Sequence, residues 1–398
     1  MRLGVFSDIL YRSDGEVLST HQAFVRFVSG LPPRVDELIL FGRITQNPDR
    51  AHYVLPSDRI RFVELPHYPR VTDVWGQVRA LRGTLRTYRR ELDALDAVWI
   101  FGPHPIATAL ALTTWRRRKP LFLGVRQDYP QYIAGRLPSR RWLWAVGAAY
   151  VLDRLFRLLG RRAPTVAVGD ELAEHYSAGG APVLSTGFSL VLADDVVTSA
   201  AARPWEDEWR ILSVGRLDPE KNPLLLVEIL RRLRDRDPRW RMTIAGDGSL
   251  ADAVEQRARA LGVRDAVDLV GYVRQGDELN ALYRRHHVFL HVSLTEGFPQ
   301  VIFEAQAAAM PVVATAVGGV TAAVQRTQSA LLIPPDDAGA AAEALHALAA
   351  DPALRDRLIG SGLENVRAET MEAQLDRIAA FFSAWLEDSP RRRRAART

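Results

Sequence analysis

The chain has 398 residues, 47% of them hydrophobic, with 52 Lys/Arg against 47 Asp/Glu and no cysteine. Such a length fits two or three domains with filled cores, and the lack of cysteine excludes disulfides and thiolate metal sites, which fits a reducing cytoplasm. The charge is uneven: residues 1–200 hold 26 Lys/Arg against 19 Asp/Glu, residues 201–388 hold 21 against 28, and the last ten add five arginines and no acid. A basic first half and tail point to an anionic partner, a membrane surface or a phosphorylated acceptor; the plainer reading is chance scatter in an arginine-rich chain.

Residues 1–7 read as a first strand, without the long apolar run of a signal peptide. No stretch reaches about 18 apolar residues, so no spanning helix is expected. Short apolar runs then alternate with amphipathic stretches, the pattern of repeated β-α units on a parallel sheet. Strands are expected at 3–7, 37–41, 97–101, 121–125 and 165–168, and helices at 20–28, 74–92, 106–117 and 141–159. Residues 193–208 have no clear period and read as a linker. A second series follows, with strands at 210–214, 241–245, 267–269, 288–292, 312–314 and 330–333 and helices at 224–234, 249–260 and 300–309. The fold class is α/β, two doubly wound domains with ligands at the C-terminal strand ends. The expected boundaries are 1–195, a linker 196–209, 210–370, a final helix 371–388 and a disordered basic tail 389–398.

The most informative run is T-E-G-F-P-Q-V-I-F-E-A-Q-A-A-A-M-P-V-V-A-T-A-V-G-G, from 295 to 319. Glu296 and Glu304 stand with seven residues between them, across a Gly-Phe-Pro loop that opens a helix. A helix N-terminus offers unpaired N–H groups and partial positive charge to phosphate or sugar oxygens. Glu304, about two turns in, can accept hydrogen bonds from vicinal hydroxyls, and Glu296 faces the helix mouth. A diphosphate flanked by two polyols, as in a nucleotide-sugar, suits this arrangement. Upstream, V-G-R-L-D-P-E-K-N puts Arg216 and Lys221 on one loop after a strand, where two cations can clamp a diphosphate. Lys119 and Lys221 are the two lysines among 52 basic residues, which marks an ammonium as wanted here.

These motifs, with P-V-V-A-T-A-V-G-G, resemble the retaining GT-B glycosyltransferases of the large family four, specifically over residues 210–335 and more weakly before. The resemblance implies a GT-B architecture, two Rossmann-like domains facing each other across a cleft. It also implies roles by position. Arg216 and Lys221 would bind the donor diphosphate, Glu304 the ribose and Glu296 the transferred sugar. The backbone of Gly297, Phe298, Pro299, Gln300 and Val301 would contact sugar and phosphate, and Gly246, Gly248, Tyr272 and Val273 would approach the base. Gly246 and Gly248 also read as plain turn glycines. Gly15, in Y-R-S-D-G, falls where relatives bring a glycine loop to the phosphates; here there is one glycine and not a pair.

Relatives place a histidine just past the strand 121–125, whereas this chain has Arg126-Gln127-Asp128-Tyr129-Pro130. Gln127 or Asp128 falls near that position; Asp128 could accept an acceptor proton, Gln127 only position one, and both also read as loop residues. His104 is a second candidate, or a helix cap. Asp235-Arg236-Asp237 mimics a metal motif but sits after a helix and reads as a surface turn. His286, His287 and His291 mimic a metal cluster, but the helix-to-strand change separates them. The run from Arg140-Arg141-Trp142-Leu143-Trp144 to Arg162 is a basic, Trp-bearing amphipathic helix that fits a membrane interface or a partly buried packing face.

The expected function is retaining, metal-independent sugar transfer, of the hexosyltransferase class, from a nucleoside-diphosphate sugar to an acceptor hydroxyl. No cofactor beyond that donor is expected, and the Gly-Phe-Pro loop favours a uridine nucleotide. The acceptor, a sugar, lipid-linked or other hydroxyl, would dock on residues 1–195, in the cytoplasm or at the inner face of the cell membrane. The alternatives are a nucleotide-sugar-binding subunit without catalysis, and a phosphorylase or epimerase of the same fold. Nucleic acid is excluded, because no basic stripe with interleaved aromatics stands outside the tail.

Overall fold

The computed structural model describes residues 1–15, 17–45, 51, 53–56, 59–67, 74–134, 142–178, 180–198 and 204–388. The tail, Arg140, Arg141 and part of the expected linker lie outside that set. The chain forms two compact units, Met1–Phe188 with Gln374–Thr398, and Ser189–Ala373.

The first unit runs β1 (Arg2–Ser13), β2 (Leu18–Thr20), α1 (Phe24–Val28), β3 (Glu37–Thr45), β4 (Tyr53–Val54), β5 (Ile60–Leu65), α2 (Val74–Leu92), β6 (Ala97–Gly102) and α3 (Pro105–Arg116). It continues through β7 (Leu121–Val125), α4 (Tyr129–Ala134), α5 (Leu143–Gly160), β8 (Thr165–Val168), α6 (Asp170–Ser177) and β9 (Val183–Thr186). Its parallel strands lie in the order β5-β3-β1-β6-β7-β8-β9, with β2 and β4 added antiparallel at the far end of β1. One face carries a hydrophobic core packed by α2, α3 and α5, including Leu92, Leu110 and Phe156. The other carries aromatic pairs around Trp99, Phe101 and Phe188.

In the second unit come β10 (Trp209–Val214), α7 (Pro223–Arg236), β11 (Trp240–Ala245), α8 (Ala251–Ala260), β12 (Val267–Gly271), α9 (Asp277–Arg285), β13 (Val288–His291) and α10 (Gln300–Ala307). Then follow β14 (Val312–Thr315), α11 (Gly318–Gln325), β15 (Leu331–Ile333), α12 (Ala338–Ala350) and α13 (Pro352–Ala368), and α14 (Met371–Asp388) passes into the first unit. All six strands are parallel, in the order β12-β11-β10-β13-β14-β15. Ile211, Leu290 and Val313 point into one core and Leu212, Phe289 and Val312 into the other. Side chains alternate along a strand, so helices on both faces require continuous apolar runs, which is why these strands were legible.

Several expectations change. The first strand extends to Ser13, with a register shift between Phe6 and Leu10 against β3. Tyr11, Arg12 and Ser13 are therefore strand, and Gly15 turns a hairpin into β2 where a strand-to-helix loop was expected. The expected helix 20–28 shrinks to five residues. Short β2, β4, β5 and β9 were not anticipated. The described residues of the expected linker, 196–198 and 204–209, belong to the second unit. Val196 packs on Phe303 and Ala307, and Trp205 lies edge-on to Trp240, so apolar contacts hold the described part in the second unit. In α14, Phe382 stacks on Phe122 at 3.9 Å and meets Trp99 edge-on at 5.2 Å, within the first unit.

Candidate active site

In the strand order of the second unit, β10 and β13 are neighbours whose following helices lie on opposite faces of the sheet. That switch point opens a crevice beyond the strand ends. A cavity of about 230 Å³ lies there, lined by Gly215, Arg216, Lys221, His291, Glu296 and Gln300 among others. Its two edges are tied by the Leu294 N–H, which donates to Glu220 O at 2.9 Å.

The centre is an ion pair. Lys221 Nζ donates to Glu296 Oε2 at 2.5 Å, and His291 Nε2 lies 3.3 Å from the same oxygen and 3.1 Å from Ser293 Oγ. Burial pushes the Glu296 carboxyl up, but the His291 hydrogen bond and the Lys221 charge outweigh it and hold the group below its ordinary range. Lys221 closes a 3₁₀ turn, Pro219–Lys221, and Asn222 follows at φ +51°, a left-handed position that suits asparagine. Arg216 also lines the cavity but bonds Asp218 and Glu220 on its own loop, so the two expected cations hold separate carboxylates.

Glu304 is the fifth residue of α10, just over one turn in and not two. Its Oε2 accepts from Tyr283 Oη at 2.8 Å, and its Oε1 from Gln275 Nε2 at 3.1 Å and Gln300 Nε2 at 3.2 Å. Burial and the neighbouring carboxylate raise the Tyr283 hydroxyl well above its usual value, so it stays a donor. Gln300 also accepts from the Leu190 N–H at 3.1 Å. Gly297 is exposed at the helix mouth, Phe298 stacks on Phe303 at 5.0 Å, Pro299 is buried and Val301 half-buried.

Glycines set the loops. A Cβ on Gly246, which sits at φ +147°, would meet Gly215 O at 1.8 Å, and one on Gly248 would meet Leu217 O at 2.6 Å. They let the loop after β11 lie against the loop carrying Arg216, beyond the turn role first read for them. Gly319 does the same for the Glu296 loop: its Cβ would meet Gly297 O at 1.8 Å, and its N–H donates to Glu296 O at 2.8 Å. Tyr272 is exposed and Val273 half-buried just past β12.

In the first unit, Asp128 caps α4, accepting from the Gln131 N–H at 2.9 Å, while Gln127 is exposed beside it. Gly15 sits in its hairpin at φ +96°, its N–H donating to Ser13 Oγ at 3.2 Å. His104 occupies the cap position of α3 without a capping side-chain bond; instead Nε2 lies 3.4 Å from Asp8, which accepts from Arg43 at 2.8 Å. Arg126 lies over the Phe24 ring at 4.4 Å. Asp8, Arg43 and Arg126 were not singled out from sequence, because long-range sheet order brings them together. His291 was weighed only as a metal ligand, and Tyr283 and Gln275 carried no local signal.

The decoys resolve locally. His286 bonds Leu282 O and Thr243 Oγ1, and His287 bonds the Arg210 N–H and Pro204 O. Asp235 pairs with Arg231 and Asp237 with Arg239.

Residues 198–364 match the family model described as "Glycosyl transferases group 1". The D-inositol 3-phosphate glycosyltransferase of Streptomyces bingchenggensis is 36% identical over 232 residues, 54% of this chain and 49% of that protein. Its namesake from Kribbella flavida is 33% identical, over 56% of this chain and 55% of that one. The matched part thus spans about half the length of these curated relatives. Among solved structures, sucrose-phosphate synthase from Thermosynechococcus elongatus is similar over 98% of this chain and 100% of its own, with a TM-score of 0.70 at 19% identity. WaaG, a glycosyltransferase involved in lipopolysaccharide biosynthesis, is similar over 96% of this chain and 99% of its own, with a TM-score of 0.66 at 15% identity. A third is HepE of Anabaena in complex with UDP, over 96% and 99%, with a TM-score of 0.65 at 15% identity. Residues 198–364 thus resemble group 1 glycosyltransferases in sequence, and the chain shares the GT-B fold of these solved structures.

Proposed function

We propose that the protein is a retaining, metal-independent glycosyltransferase that moves a sugar, of the hexose class, from a nucleoside-diphosphate sugar to an acceptor hydroxyl. The observation that carries the reading is the Lys221–Glu296 pair at the switch point, with the mouth of α10 and Glu304 beside it. In this reading the donor diphosphate takes Lys221 and Arg216 as partners, and those cations stabilise the departing diphosphate. Glu296, freed from the ammonium, meets the transferred sugar, and Glu304 holds the ribose. The departing phosphate oxygen takes the acceptor proton on the same face, so no separate strong base is required. The HepE complexes with UDP and with UDP-glucose support a uridine donor. The basic balance of residues 1–200 supports a phosphorylated or lipid-linked acceptor and work at the inner face of a membrane.

Calorimetric titration of the wild type and a Lys221→Ala/Glu304→Ala variant with UDP and GDP tests the donor site. Saturable binding of one nucleotide, lost in the variant, is expected. Wild type that binds neither refutes a uridine or guanosine donor at this site. Turnover in the presence of EDTA and the anomeric configuration of the product, read by NMR, test metal independence and retention.

A further inference from the structure

Helix α5 is turned inside out relative to an ordinary surface helix. Leu143, Trp144, Tyr150, Val151, Leu155 and Leu158 are 41% to 60% exposed. At about 100° per residue they share one arc of about 140°, together with exposed Gly147 and Arg154. The opposite side holds Ala149, Asp153, Phe156 and Gly160, all buried, with Phe156 in the core of the first unit. An apolar stripe running the length of an 18-residue helix, about 25 Å, exceeds the scattered surface hydrophobes of a soluble domain.

Charge says what covers it. The helix has one acid, Asp153, and it faces inward, accepting from Tyr176 Oη at 2.8 Å and Arg157 Nε at 2.9 Å. The exposed side and its C-terminal end carry Arg154, Arg161 and Arg162. Arg162 lies over the Trp115 ring at 5.7 Å, which joins this end to exposed Arg116, Arg117 and Arg118 at the end of α3. An apolar face with Trp144 at its start and Tyr150 near its middle, bordered by arginines and no exposed acid of its own helix, complements an anionic bilayer.

We propose that the exposed face of α5 is a membrane-docking surface, inserting Trp144, Val151 and Leu158 among acyl chains while Arg154, Arg161 and Arg162 meet anionic headgroups. It deepens the membrane part of the proposed function and needs no statement about the donor site.

The test is flotation of the full chain with vesicles of phosphatidylcholine alone, or of equal parts phosphatidylcholine and phosphatidylglycerol, without nucleotide. Wild type is expected to float with the anionic vesicles. Trp144→Glu/Val151→Glu is expected to weaken that partitioning by about tenfold or more, and Arg161→Glu/Arg162→Glu by about tenfold on anionic vesicles alone. Replacing the five arginines of residues 391–397 with serine should leave the helix-dependent part in place. Unchanged thermal unfolding confirms that each variant is folded. No flotation of wild type at low salt overturns the proposal, as does binding lost only with the tail. So does a wild-type dimer, seen by analytical ultracentrifugation, that Trp144→Glu dissociates: a second copy would then cover the face. Because no donor is present, failed UDP binding leaves this result intact, and failed flotation leaves the donor reading intact.

Discussion

Replacing Lys221 with methionine separates what the ion pair does for the fold from what the lysine does for a ligand. At 2.5 Å and an effective dielectric of about 20, the gross attraction is on the order of 6 to 7 kcal/mol. Both groups are largely withdrawn from water, so desolvation offsets most of that and a net of about 1–2 kcal/mol remains. Lys221→Met leaves Glu296 three-quarters or more shielded with His291 as its remaining partner, and should lower unfolding free energy in urea by about 2 kcal/mol. UDP should bind about 10- to 100-fold more weakly, the value of one charge-assisted hydrogen bond to phosphate. Lys221→Met/Glu296→Gln removes the stranded charge, so stability should return to within about 1 kcal/mol of wild type while UDP binding stays weak. Urea titration and calorimetry on the wild type, both single variants and the double variant complete the cycle. Wild-type UDP affinity in Lys221→Met refutes the lysine as phosphate partner. Additive stabilities across the cycle refute the coupling.

Other consequences can be read with standard measurements. Gly319→Ala should cost about 3 kcal/mol of stability in urea and weaken UDP binding, because its Cβ would strike Gly297 O at 1.8 Å; unchanged affinity would mean that the Glu296 loop need not stay where it is. Burial pushes His286 down to about 4 in the folded chain, against 6.5 for the ordinary group. Between those values the unfolded chain takes a proton that the folded chain refuses, so stability should fall by about 3 kcal/mol from pH 6.5 to pH 4, and His286→Asn should flatten that slope. Phe382→Ala should cost about 3–5 kcal/mol by emptying the site against Phe122 and Trp99, seen as earlier proteolysis within α14; cleavage unchanged from wild type would mean that the helix is held elsewhere.

The second unit was legible strand by strand because helices cover both sheet faces. Its strands are short runs made mostly of apolar residues, and β10 ends at Val214, next to Gly215, which opens a site loop. Lys221 and Glu296 were legible because each stands in a loop after a strand, and Glu304 because it follows in the helix that the second loop opens. The first unit was harder to read. A register shift carries β1 through Leu10 to Ser13, and nothing local in Tyr11-Arg12-Ser13 marks it as strand. The helix after 141 read both as membrane-facing and as packed; only its contacts show that Phe156 turns inward and Trp144 outward. His291 looked inert because its partner Glu296 lies five residues on, past a strand end, and no periodicity joins them.

At least three donors already occupy the roughly four acceptor sites of Glu304: Tyr283, Gln275 and Gln300. A ribose that reaches this carboxylate therefore finds at most about one open acceptor site, and its second hydroxyl must displace a donor already there. A nucleotide with both hydroxyls fills the open site and replaces one donor, whereas a 2′-deoxynucleotide with its single hydroxyl can do only one of the two. Discrimination between ribo- and deoxyribonucleotides then comes from the donors a ligand turns away, with no steric wall against the missing oxygen.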